Sequence, residues 1–148
     1  MADTGLIFHA IGRITSHHDR TLNAIVTRFF DTNDEHGVVL PSAVRVGLEY
    51  ATENGVKNWI VDVSEETSSM SEKDANWESS HEFRQIFRLS SVRNILLLVS
   101  PSKDGQSLDS ERAWAEGFAG ELGEGFRADV ASSASEVSEI IHRWGSAS

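Results

Sequence analysis

Residues 59–77 read W-I-V-D-V-S-E-E-T-S-S-M-S-E-K-D-A-N-W, and the fold turns on how this stretch is understood. Its first half, with Asn58 before it, is short and almost wholly apolar until Asp62. A run of that length, apolar on successive residues, fits a strand buried on both faces. The polar segment after it reads as a loop. Ser71 and Asp74 stand three apart, resembling a capping box with Asp in the usual place of Glu, so a helix is expected over Ser71 to Leu89. Phe83, Ile86 and Phe87 would form its inner face.

A second run, Arg93 to Val99 (R-N-I-L-L-L-V), has the same character. Two such runs separated by a helix imply neighbouring parallel strands covered by helices, the habit of α/β proteins. Downstream, Ser107 to Leu122 is expected as a helix carrying Trp114, Phe118 and Leu122 at i, i+4 and i+8, with Ala115 and Ala119 beside them. Gly123 and Gly125 stop it. Phe126, Ala128 and Val130 alternate as a last short strand. Ser133 and Glu136 form a capping box. Val137, Ile140, Ile141 and Trp144 then give the stripe of a final helix.

Upstream, Leu6 to Ile14 alternates as a strand, Ser16 to Arg20 is polar enough to be a connector, and Thr21 to Phe30 alternates again. The short gap predicts an antiparallel hairpin. A helix begins near Pro41, where a missing N–H costs little, and places Val44, Gly47, Leu48 and Ala51 on one stripe before Asn54-Gly55 closes it. The expected order is β-β-α-β-α-β-α-β-α: one α/β domain over residues 1–148, with a mostly parallel sheet and an antiparallel N-terminal hairpin.

Composition narrows the function. The chain has 148 residues, 39% hydrophobic and 24% charged, enough to form a core. Its net charge of −10 argues against nucleic acid and anionic membranes as partners and favours a basic protein partner. There is no cysteine, so disulfides, thiolate metal sites and a Cys nucleophile are excluded. The six histidines lack metal-ligand spacing: His17 and His18 are adjacent, and His9, His36, His81 and His142 are scattered. No metal and no cofactor is expected. No apolar run is long enough to span a bilayer, and the N-terminus does not read as a secretory signal, so cytoplasm is the expected compartment.

Four residues stand out as candidate binding positions: Asp62, Ser64, Ser71 and Trp77. Asp62 and Ser64 lie at the carboxyl end of a central strand, where open α/β sheets gather ligands. Their plainer role is local: Asp62 accepts loop amides and Ser64 caps a turn. Ser71 is an N-cap, and a phosphate on it would sit at the positive end of a helix. Glu65, Glu66, Glu72 and Asp74 crowd the same place with negative charge and oppose it. Trp77 points away from the arc of Phe83, Ile86 and Phe87; it is a patch for a partner, a lid on an apolar pocket, or a residue packed beneath the Glu65 to Ser69 loop. No nucleophile elbow, P-loop or dinucleotide fingerprint occurs.

The order of elements, with Asp62-Val63-Ser64 ending a strand before a Ser-rich loop and helix, resembles the STAS superfamily. It is most similar to the bacterial STAS-like proteins grouped with anti-sigma factor antagonists. Ser71 falls at the serine that such domains phosphorylate, although Met70-Ser71-Glu72-Lys73 stands where they often carry D-S-S-G. The resemblance implies regulation through a protein partner, or capture of a small ligand, rather than catalysis. The first expectation is a partner protein held on the Ser64–Trp77 loop and helix, with a homodimer also open. The second is a small apolar ligand between sheet and helices, near Tyr50, Trp59 and Phe83. The third, ranked last, is an enzyme using Asp62, Ser64 and a histidine.

Overall fold

The structure, a computed structural model, describes residues 7–11, 14–29, 39–64, 81–99 and 109–146. Its strands are β1 (Ile7–Ile11), β2 (Ile14–Asp19), β3 (Ala24–Phe29), β4 (Asn58–Asp62), β5 (Asn94–Leu98) and β6 (Arg127–Ala131). Its helices are α1 (Val39–Asn54), α2 (His81–Leu89), α3 (Asp109–Leu122) and α4 (Ala134–Ser146). The strands form one sheet in chain order, β1 to β6. β2 is antiparallel to both β1 and β3, and β3 to β6 run parallel. This is the mixed α/β architecture the sequence implies.

The two greasy runs do lie side by side. β4 and β5 pair in register from Asn58↔Asn94 to Asp62↔Leu98. Because every parallel crossover steps to the next strand in the same direction, crossovers of one hand place all the connecting helices on one face. Accordingly α1, α2 and α3 pack on the face of Ile25, Trp59 and Ile95, while α4 packs on the face of Val26, Ile60 and Leu96.

The N-terminal part differs from the expected hairpin. Where the sequence predicts one strand over Leu6 to Ile14, β1 ends at Ile11 and β2 begins at Ile14. Ser16 to Asp19 continues β2 instead of forming a connector, and residues 20–23 make the turn into β3, so three antiparallel strands stand in place of two. Hydropathy misses this because the inward-facing residue is a serine. Ser16 is fully buried, with its hydroxyl 3.0 Å from that of Thr27, which in turn accepts the Trp59 indole N–H at 2.9 Å. A buried hydroxyl is tolerated where a neighbouring strand supplies its partner. Asn23 takes the left-handed conformation (φ 51°), and the Asp19 carboxylate accepts the Leu22 N–H at 3.1 Å to close the turn.

α1 starts at Val39, so Pro41 sits in its first turn, and it buries Ala43, Val44, Leu48 and Ala51. Gly55, at φ 66°, ends it: the Val56 N–H reaches back to the Ala51 carbonyl at 2.8 Å, a Schellman closure. α2 inserts Phe83 and Phe87 under the sheet. On α3, Phe118 and Leu122 are buried as expected, but Trp114 is 38% exposed and stacks on Phe118 at 5.4 Å, while Ala115 takes the inner position. The Arg88 guanidinium donates to the carbonyls of Glu121 (2.5 Å) and Leu122 (3.0 Å), a cation at the negative end of α3. Ser133 caps α4, its hydroxyl accepting the Glu136 N–H at 3.2 Å. Glu136 reaches back to Ser132, whose hydroxyl donates at 2.8 Å and holds the carboxyl below its ordinary pKa.

Candidate functional site

The connections at the two ends of the parallel strands are unequal. Those entering β4, β5 and β6 are short: residues 55–57, 90–93 and 123–126. Those leaving β3, β4 and β5 run over residues 30–38, 63–80 and 99–108. Long connections at the carboxyl ends are where open α/β sheets assemble sites. Ser71 and Trp77 fall in this part of the chain, outside the described residues.

Asp62 and Ser64 are described, and they bind each other. One Asp62 carboxylate oxygen accepts the Ser64 N–H at 3.0 Å and its hydroxyl at 2.5 Å. The other lies 3.5 Å from Arg28 Nε. Asp62 is only 6% exposed, whereas the Arg28 side chain is 52% exposed. The arrangement is a buried carboxylate held by a turn and neutralised by a cation on the next strand. That is the local role open to these residues from the sequence. Parity across the strands puts Thr15, His17, Arg28 and Asp62 on the α4 face of the sheet. Burial and the Arg28 charge push the His17 pKa down, against the pull of Asp19 and Asp62.

The three residues named for an apolar pocket are placed differently from one another. Trp59 and Phe83 are buried in one aromatic cluster with Phe87 and Phe118, ring centroids 5.0–5.4 Å apart. Tyr50 turns toward His18, its hydroxyl 3.2 Å from Nδ1. Open volume appears one layer further out. A groove of about 380 Å³ runs between α1 and α2, lined by Leu48, Ile86 and Leu89, with Arg45, Glu49, Thr52, Glu53 and Ser90 around them. Leu89 is 74% exposed. Hydropathy places Ile86 on the inner face of its helix, but gives no sign that the neighbouring helix stands far enough away to leave a trough. Leu89, at the end of α2 and off the Phe83–Phe87 stripe, is the signal that could have found it.

A second hollow of about 250 Å³ lies between β6 and α4. Two of its charged groups, Arg143 and Asp129, pair across it at 3.2 Å. Among the described residues no group of three or more His, Asp or Glu is placed to hold a metal ion. Among them too, no helix is long and apolar enough to cross a membrane. Comparison of the chain with protein-family models, with curated proteins and with solved structures finds no match.

Proposed function

We propose that this chain is a non-catalytic binding module that carries or senses a small apolar ligand, held in the groove between α1 and α2. The observation that carries the reading is the groove itself: about 380 Å³, floored by Leu48, Ile86 and Leu89. That volume sits at the lower end of the range of small-molecule sites, roughly 300–1,000 Å³. A protein partner is met instead over a broad surface, about 800 Å² from each side. The large apolar side chains exposed among the described residues, Leu89 and Trp114, stand on different helices.

Titration with the neutral fluorophore N-phenyl-1-naphthylamine tests this. Its emission should rise on binding, and Leu89→Ser should weaken binding about tenfold, the scale of losing one aliphatic wall. Leu89 is exposed, so the substitution leaves the core alone. Absence of any saturable signal with the unaltered protein would overturn the reading. Native mass spectrometry of gently purified protein gives an independent check through co-purified small molecules.

A second reading keeps the STAS-like kinship proposed from Asp62-Val63-Ser64. A partner protein would meet the chain at the rim after β4, around Asp62, Ser64, Ser71 and Trp77. Its support is the net charge of −10, which steers a basic partner toward the molecule. Such binding should weaken as salt rises. Partner binding indifferent to salt would count against it, and an intact mass showing Ser71 always unmodified would remove its phosphorylated form.

A further inference from the structure

The groove between α1 and α2 has an unbalanced lining. Of its eight residues, Leu48, Ile86 and Leu89 are apolar. Thr52 and Ser90 are already satisfied. The Thr52 hydroxyl donates to the Leu48 carbonyl at 2.9 Å and accepts the Ser91 N–H at 3.0 Å. The Ser90 hydroxyl donates to the Phe87 carbonyl at 2.7 Å and accepts the Val92 N–H at 3.2 Å. Arg45 is paired with Glu82 across one end of the groove. What is left is Glu49 and Glu53, two exposed carboxylates one turn apart on α1, with no ion pair among the described residues.

Their position on α1 sharpens the point. Glu53 lies in the last turn of the helix, which carries no basic residue. The exposed carbonyls of a helix C-terminus already carry partial negative charge, so an acid there is locally unfavourable and a cation favourable. Asn54 answers one carbonyl, donating to Tyr50 O at 2.9 Å. Neither carboxylate has an ion pair among the described residues. An apolar trough with saturated hydroxyls and two exposed acids at its side complements one kind of head group.

We infer that the ligand of this groove is a cationic amphiphile: an alkyl or aryl body ending in an ammonium group. The inference rests on the small-ligand reading above. The apolar body lies along Leu48, Ile86 and Leu89, and the ammonium sits between Glu49 and Glu53, offsetting the negative end of α1. An anionic head meets a lining whose one cation, Arg45, is shared with Glu82 and outnumbered by Glu49 and Glu53.

Isothermal titration calorimetry with octylammonium, 1-octanol and octanoate, each below its aggregation limit and at one ionic strength, tests the inference. Octylammonium should bind about fivefold tighter than octanol, the scale of an exposed ion pair, and octanoate weakest. The double substitution Glu49→Gln, Glu53→Gln should bring the amine-to-alcohol ratio close to one. Leu89→Ser should weaken amine and alcohol together. Equal affinity for amine and alcohol in the unaltered protein would overturn the charge preference and leave the apolar groove standing. An amine preference that survives the double substitution, or is untouched by Leu89→Ser, would place the cation elsewhere on the acidic surface and also overturn it. Failure of all three compounds to bind would overturn the groove reading itself.

Discussion

The two faces of the sheet are built from the same strands but not in the same way. One face receives α1, α2 and α3 and encloses rings from three elements, Trp59, Phe83, Phe87 and Phe118, in mutual contact. The other receives α4 and shares its surface between aliphatic residues, Val26, Ile60 and Leu96, and the polar row Thr15, His17, Arg28 and Asp62. The difference comes from topology. Strands laid down in chain order send every crossover to one side, so among the described elements the opposite side is closed by the helix after the last strand. Stability should therefore concentrate on the three-helix face, and charged groups are tolerated on the other.

The strongest test of that contrast is a pair of truncations. Phe87 is almost fully buried and touches three other rings, so Phe87→Ala should cost about 4 kcal/mol of unfolding free energy. Trp144, the largest buried residue of α4, also loses its contact with the Arg127 guanidinium, 5.6 Å from the ring. It stands near the end of its helix, where the chain can settle into the space left, and Trp144→Ala should cost about 3 kcal/mol. Urea denaturation midpoints measure both. A larger loss at Trp144 than at Phe87 would move the dominant core to the α4 face.

The rim at Asp62 comes next. Asp62→Ala removes the acceptor for the Ser64 N–H and hydroxyl and leaves Arg28 without its partner. A loss of about 2 kcal/mol is expected from the unsatisfied half-buried donors. Asp62→Asn keeps an oxygen for the Ser64 N–H and should lose less. If the two substitutions are equally harmful, the charge rather than the turn is what this residue supplies. Below these, Ser133→Ala removes the cap that holds the Glu136 N–H, and should lower stability by about 1 kcal/mol.

These same positions mark what is legible in the chain and what is not. Asn58–Asp62 and Asn94–Leu98 are legible as adjacent parallel strands because a strand buried on both faces has no polar alternation to confuse it. The Ser133 cap and the Gly55 closure are legible because each is a local rule carried by one or two residues. The last four residues of β2 are not, because Ser16 and His18 look solvent-facing until Thr27 and Tyr50 are brought opposite them. Periodicity turns Trp114 inward because it gives a stripe but not its centre; a shift of one residue puts Ala115 inside. For the candidate site, Asp62 and Ser64 are marked by their place at a strand end. The α1–α2 groove escapes a sequence reading because a gap between two helices depends on how far apart they stand, which no local pattern records.

The finest probe of the polar face is the titration of His17. Burial and the nearby Arg28 charge lower its pKa in the native state, with Asp19 and Asp62 opposing. As pH falls through the ordinary imidazole value of 6.5, the unfolded chain gains a proton here before the native protein does. Where the unfolded state binds more protons, stability falls with falling pH, so the His17 contribution is whole above 6.5 and is lost as pH drops through the lowered native value. The ring is only half-buried, and this should be the smallest effect of the series. His17→Gln should flatten the decline between about pH 7 and pH 5, read as the difference in urea midpoint between variant and unaltered protein. If the unaltered protein instead gained stability over the variant on acidification, Asp19 and Asp62 would outweigh burial and Arg28. The polar row would then be a site that draws in a proton rather than a surface that resists one.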